Sequence, residues 1–319
     1  MLARFLNAAA LVALTLAMLT QGQGARALDW TKVPGKDITL FYPAQMSWEM
    51  LLTQSEHGGA EKFRDGKNCR GCHEGEEESS GNLLVADKSV EATPIAGKPG
   101  SIKLNVKAAH DGERIYIQLA FTPGAQPDAG MDKDFATKVA VMLDDGGVAE
   151  AGRAGCWAAC HDNATRMPSA AGKETTKYLA RSRVSLTRKG GEEIKPAAEI
   201  DAMRTAGGFL EYWQARLVAG APPKVVDGTV LEKRSDREVS AVIAESAESN
   251  GLWTVTFSRK LDAGPGYKPM TSGKTYTVGF SVHAGHAAHR FHYVSLERTL
   301  TIDAPTPASG KPDFVAAPF

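Results

Sequence analysis

The chain has 319 residues with 37 basic and 37 acidic side chains, so its formal charge is zero and nothing signals nucleic-acid electrostatics. At 43% apolar, 23% charged and 7% aromatic residues, it is not a multi-span membrane protein, a disordered tail or a disulfide-dense miniprotein, and it can fill one large or two modest cores. The four cysteines are the informative residues.

Residues 1–27 read as a signal peptide. Arg4 charges the start, Leu11 to Leu19 with the preceding alanines is apolar, and Ala25-Arg26-Ala27 offers the small-x-small site that a signal peptidase needs. The alternative, a retained membrane anchor, asks for about 20 apolar residues, and this stretch falls short. Cleavage before Leu28 removes two arginines and no acid, leaving 35 basic against 37 acidic residues, a charge of −2. No later segment is apolar enough to span a bilayer. The expectation is an exported, periplasmic, soluble protein with no stable membrane span after cleavage.

From Leu28 to about Ser80 the pattern is helical and loop-rich. Trp48, Leu51 and Leu52 fall on one helical face behind Pro43, and Gly58-Gly59 interrupts before a short turn leads into Cys69. Cys69-Arg70-Gly71-Cys72-His73 then matches C-x-x-C-H, the attachment sequence of c-type haem. Two thiols one short turn apart can bond the porphyrin's two vinyl groups while the following histidine lies under the iron. The acidic run from Glu74 to Ser80 reads as a solvated loop. Residues 28–89 thus make an N-terminal haem c segment.

After about Val90 the period changes to two. Ile102, Leu104 and Val106 alternate with polar residues, Asp111-Gly112 supplies a turn, and Ile115, Ile117, Leu119 and Phe121 alternate again. Val139 to Leu143, Trp253 to Phe257 and Tyr276 to Val282 repeat the pattern, so residues 90–303 read as an antiparallel β-sandwich. One inserted helix is expected where Ile200, Met203, Leu210, Trp213 and Leu217 keep a helical stripe, with Gly207-Gly208 in its middle. Residues 304–319, with four prolines, are expected to form a flexible tail.

Within the β region, Cys156-Trp157-Ala158-Ala159-Cys160-His161 is a second Cys-spacer-Cys-His motif with one extra residue between its thiols. All four cysteines are consumed by the two motifs, which points to two covalently attached haem c groups. A local disulfide, a redox dithiol or half of a zinc site are the alternative readings of each pair. His73 and His161 are the expected proximal ligands. For the first iron, His57 is read either as the sixth ligand or as a surface-loop histidine, and Met46 is the rival thioether. For the second, strand parity puts His292 on the face of Val294 and Leu296 and turns His283 toward solvent, while His286 and His289 fall in the intervening turn. Met167 is an outside candidate. Arg181 and Arg183 are read as partners of haem propionates or as a solvated strand edge, and Trp157 as the cover of a porphyrin face or as simple packing.

The stretch Gly155 to Asp162, with Met167-Pro168 and Thr176 to Arg183 after it, resembles the haem-binding domain related to the gamma subunit of ethylbenzene dehydrogenase and other type II DMSO-reductase-like enzymes. The strand Gly251 to Leu261 and the ending Phe291-His292-Tyr293-Val294-Ser295 are similar to it too, so the resemblance covers residues 90 to 303. It implies an immunoglobulin-like sandwich, akin to DOMON cytochrome domains, with a haem near one end. In the gamma subunits that haem is b-type with methionine and lysine ligands. This chain departs by offering Cys156, Cys160 and His161, and His292 stands where the lysine would be. The N-terminal stretch with Trp48, His57-Gly58-Gly59, Phe63 and Cys69 to His73 looks like the leader of dihaem members.

The expected function is a dihaem cytochrome c that passes single electrons between redox partners such as other cytochromes, quinol-linked donors or a molybdenum oxidoreductase. The rivals are a haem enzyme or sensor with one open iron position, and an electron-transfer subunit that docks a molybdenum oxidoreductase. No catalytic residue is expected under the first reading.

Overall fold

The structure is a computed structural model of the chain and describes residues 28–44, 48–55, 57–86, 91, 94–159, 162–163, 176–185, 193–304 and 311–319, with the backbone alone along 48–49, 156–159, 162–163 and 176–177. The expected signal peptide, Met46, Cys160, His161 and Met167 lie outside the described residues.

In chain order the strands are β1 (Gly35–Phe41), β2 (Ser101–His110), β3 (Arg114–Phe121), β4 (Thr137–Asp144), β5 (Asp162–Asn163), β6 (Thr176–Lys177), β7 (Leu210–Leu217), β8 (Lys224–Val230), β9 (Arg234–Asp236), β10 (Ile243–Ser249), β11 (Leu252–Lys260), β12 (Thr275–His283), β13 (Tyr293–Val294), β14 (Arg298–Ile302) and β15 (Phe314–Pro318). The helices are α1 (Trp48–Leu51), α2 (Ala60–Arg64), α3 (Arg70–His73), α4 (Glu77–Ala86), α5 (Ala149–Ala159) and α6 (Ala197–Thr205). No helix among the described residues is long and apolar enough to cross a membrane.

The alternating segments fold as their period dictates. β2 and β3 form a hairpin in which Leu104, Val106, Ile117 and Leu119 point inward. Asp111 Oδ1 accepts the Glu113 and Arg114 amides in the turn, and Gly112 takes the positive φ of 88° that the tight reversal requires.

β5 and β6 pair with each other, and the other thirteen described strands belong to one hydrogen-bonded sheet. Within it β1, β2, β15, β14, β12 and β13 close on themselves. β1 pairs with β2 and β13, β12 pairs with β13 and β14, and β15 bridges β14 to β2 through two parallel ladders. From this ring β3, β11 and β10 extend on the β2 side, and β4, β7, β8 and β9 on the β12 side. The fold is therefore mainly β, with a closed six-strand ring where an immunoglobulin-like sandwich was expected. Alternation reports which face of a strand is buried and not which strand lies beside it, so ring closure by distant segments left no local mark.

Three expectations about elements are corrected. The 28–80 stretch is not helical throughout, because Ile38 and Leu40 alternate inward on β1, which pairs along its length with β2. The stripe from Ile200 to Leu217 is not one helix: α6 ends at Thr205, Gly207 with a φ of 75° turns the chain out of it, and the chain continues as β7. On β7, Trp213, Ala215 and Leu217 enter the main core while Leu210 enters a second cluster with Ile200 and Leu231. A strand buried on both faces imitates a helical stripe. Finally, residues 314–318 are no loose tail, since Phe314 and Ala316 are buried in the main core and β15 completes the ring.

Candidate functional site

The first attachment motif sits on α3. Cys69 is buried at its N-terminal end and Cys72 is exposed, and both thiols are free. Asn68 Oδ1 accepts the Gly71 amide at 2.8 Å, closing the short turn. The Cys69 side chain packs with Phe41, Leu51, Phe63, Ala154, Val294 and Leu296. Burial, assisted by nearby Glu297, pushes the Cys69 thiol well above its ordinary range. Arg70 in the middle of the motif is tied to Glu74 at 2.6 Å and to Asp313 at 2.7 Å. The segment before β15 thereby clamps the attachment turn.

Two imidazoles converge beside this motif. The His57 and His73 ring centres lie 6.4 Å apart with an angle of 34° between the rings. Two metal–nitrogen bonds of about 2 Å each, plus the half-widths of two rings, add to roughly 6 Å, so this spacing suits one metal ion held between them. Their hydrogen bonds also fit. His57 donates Nδ1–H to the Leu51 carbonyl at 3.0 Å, and His73 donates Nδ1–H to the Glu76 carboxylate at 3.3 Å. Each bond fixes the tautomer that leaves Nε2 as the lone-pair nitrogen, the arrangement found around metal-ligating histidines. Gly59 leaves room for this placement, because a Cβ there would lie 3.1 Å from the His57 ring. A cleft of about 180 Å³ opens on His73 and is lined by Phe41, Leu83, Leu84 and Leu296 with Glu77 and Ser80. Such an apolar wall, with the thiols and the imidazoles, suits a porphyrin face.

The second motif begins on α5, which packs against β12 and β4. Cys156 and Trp157 lie on its backbone after a kink at Gly155, where φ is 62° and ψ −149°. The Cys69 amide donates to the Arg153 carbonyl at 2.8 Å, and Ala154 shares the apolar cluster of Cys69. The segments that carry the two motifs therefore touch.

His283 and His292 form a second imidazole pair, with ring centres 4.7 Å apart. Both are buried, which corrects the solvent-facing placement of His283: both faces of β12 near its end are covered, and the register sets His283 opposite Lys138 on β4. The His289 carbonyl accepts His292 Nδ1–H at 2.8 Å and His283 Nε2–H at 3.0 Å. His292 again keeps Nε2 as its lone-pair nitrogen. Burial lowers the pKa of His292 to about 4 and that of His283 well below the usual histidine range, with the nearby Lys98 and Lys138 adding to both shifts. Neutral imidazole is the ligating form. His289 itself is exposed in the turn, and His286 donates Nδ1–H to the Asp132 carbonyl.

The two arginines expected at propionates have protein partners. Arg181 binds Glu150 on α5 at 2.5 Å and the Gly147 carbonyl at 2.7 Å, and Arg183 donates to the Glu232 carbonyl at 3.2 Å. Lys98, missed in the sequence, lies with its Nζ 4.4 Å from the Tyr293 ring centre, and burial lowers its pKa to about 8. Glu76, Glu297 and Asp313 were missed as well. Glu76 alone carried a sequence signal, standing three residues after a motif histidine.

A family described as ethylbenzene dehydrogenase matches residues 27–248, a span that begins earlier than the resemblance read from residue 90 and includes the first motif. Among relatives, "Cytochrome c-552" of Stutzerimonas stutzeri is 35% identical over 300 residues, covering 93% of this chain and 95% of that protein. "Cytochrome c-551" of Rhodocyclus tenuis is 31% identical over 280 residues, covering 86% and 95%. Among solved structures, a putative carbohydrate-binding protein from Bacteroides uniformis covers 70% of this chain and 82% of its own, at 10% identity and a TM-score of 0.32. A family 9 carbohydrate binding module from Caldicellulosiruptor kristjanssonii covers 61% and 65%, at 8% identity and a TM-score of 0.28. Nothing about this chain follows from likeness at that level.

Proposed function

The chain belongs to the ethylbenzene dehydrogenase family of domains and is a homologue of cytochromes c, and from that premise we propose that it is a periplasmic dihaem cytochrome c that relays single electrons between redox partners. Covalent haem supplies the one-electron ferric/ferrous couple. Cys69 and Cys72 hold the first group by thioethers, and Cys156 and Cys160 the second. His73 and His161 would bind the irons beside their attachment motifs, and His57 and His292 would supply the second imidazoles. The observation that carries this reading is the His57–His73 pair, 6.4 Å apart beside a C-x-x-C-H turn with both Nδ1 atoms already engaged.

The residues do the rest. Leu51 and Glu76 hold the imidazoles in their ligating tautomer. Phe41, Leu83, Leu84 and Leu296 offer an apolar wall to one face of the first site. Two histidines on an iron leave no open position, which favours relay over catalysis and a lower potential than histidine with methionine. The segments that carry the two motifs touch through the Cys69–Arg153 hydrogen bond.

Intact-protein mass together with a pyridine haemochrome spectrum tests the reading. Two thioether-linked haems on a chain beginning at Leu28 are expected, and a colourless mature protein would refute it. His57→Ala separates relay from ligand chemistry. The ferrous wild type is expected to be indifferent to carbon monoxide, whereas the variant binds one equivalent rapidly at the vacated position. Stoichiometric binding to the wild type would instead support an enzyme or sensor.

A further inference from the structure

Glu297 lies between the two motif-bearing segments and is 5% exposed. Its Oε1 accepts the Arg70 amide, inside the first attachment motif, at 3.0 Å. On its other side Gly155, the residue before Cys156, approaches so closely that a Cβ there would lie 2.6 Å from the Glu297 nitrogen. Its Oε2 is buried with no hydrogen-bond partner among the described residues. An unpaired buried carboxylate oxygen is costly, and a native structure that keeps one has a reason to do so.

The charged and titratable groups around it are Cys69 and Arg70 on α3, Glu74 and Glu77 beyond it, Arg153 on α5, Arg298 at the start of β14 and Asp313 before β15. The two cations that act on Glu297 are shared with other acids. Arg70 is bound by Glu74 and Asp313, and Arg298 by Glu74 at 2.9 Å and Glu77 at 3.1 Å. Neither cation is committed to Glu297 alone.

We propose that Glu297 is a redox-linked proton site: when a one-electron donor reduces the haem attached at Cys69 and Cys72, one solvent proton adds to Glu297 Oε2, and it leaves when the electron is passed on. The balance is one electron to the ferric iron, giving ferrous, and one proton to the carboxylate, giving the acid. Burial, opposed by the Arg70 amide and by the Arg70 and Arg298 charges, raises its pKa to about 7, so either protonation state is within reach near neutrality. The positive charge lost from the site on reduction moves that pKa further up, so electron and proton arrive together. The proposal rests on the cytochrome reading above.

The test is a spectroelectrochemical titration of the mature holoprotein at a series of pH values. Between about pH 6 and 8 the midpoint of one haem is expected to fall as pH rises, by at most about 59 mV for each tenfold drop in proton concentration. Glu297→Gln is expected to abolish that slope, and Glu297→Asp, which keeps a carboxyl, to retain it. A reduced-minus-oxidised infrared spectrum of the wild type is expected to gain a carboxylic-acid carbonyl band, which stands as the readout should neither variant mature. A flat wild-type profile, a slope that survives Glu297→Gln, or no such band overturns the proposal while leaving the cytochrome reading intact. A protein without covalent haem overturns both.

Discussion

A chain carrying both Cys69→Ala and Cys72→Ala is expected to mature with one covalent haem in place of two, and its intact mass to fall by that of one haem. The substitution is a clean one because little else is asked of the side chains. Cys72 is exposed, and Cys69 contributes one sulfur to a cluster that also contains Phe41, Leu51, Phe63 and Leu296, so its loss costs about 1 kcal/mol. The fold should persist, and the missing colour then reports attachment and not unfolding. Single variants sharpen the result, since one remaining thioether still leaves a covalent adduct. An unchanged mass in the double variant would mean that the first motif carries no haem.

Gly155→Ala is expected to have the largest effect on both the fold and the second site. The φ of 62° with ψ of −149° belongs to a region that is almost closed to residues with a Cβ. The added atom would also meet the Glu297 nitrogen at 2.6 Å and its Cα at 2.8 Å, and both are backbone with no rotamer to swing away. Strain of 1–3 kcal/mol from the dihedrals alone, plus displacement of α5 or of the 296–297 segment, puts the cost at about 3 kcal/mol or more. Because Cys156 follows directly, attachment of the second haem should become incomplete. Gly152→Ala on the same helix is the control: its Cβ meets only Thr277 Oγ1 at 3.7 Å, and it should be neutral or stabilise by about 0.5–1 kcal/mol. Denaturant melts with haem stoichiometry check both, and a Gly155→Ala protein as stable as wild type with two haems would sink the account.

What the sequence made legible was local. The C-x-x-C-H spacing, the β2–β3 hairpin with its Asp111-Gly112 turn, and the glycines beside His57 all depend on residues a few positions apart, where covalent geometry limits the outcomes. Strand β7 was misread because burial on both faces erases the period of two, and β1 because its short alternation lies between prolines. The placement of His283 failed because parity assigns a face without saying whether something covers it. Glu297 and Asp313 had no signal at all, since they reach the first motif from more than 220 residues away, as the separations of 227 and 243 between them and Arg70 record. Arg181 and Arg183 illustrate the converse: guanidinium chemistry was predictable, but its carboxylate turned out to be Glu150 for the first of them.

The closure of the ring by its final strand sets an order of assembly. β15 joins β14 to β2, and Asp313 just ahead of it grips Arg70, so the turn bearing Cys69 and Cys72 is locked only when residues 311–319 have docked. Contacts spanning most of the polypeptide are the slowest to form. Until they do, the first pair of thiols belongs to an open, unsecured segment.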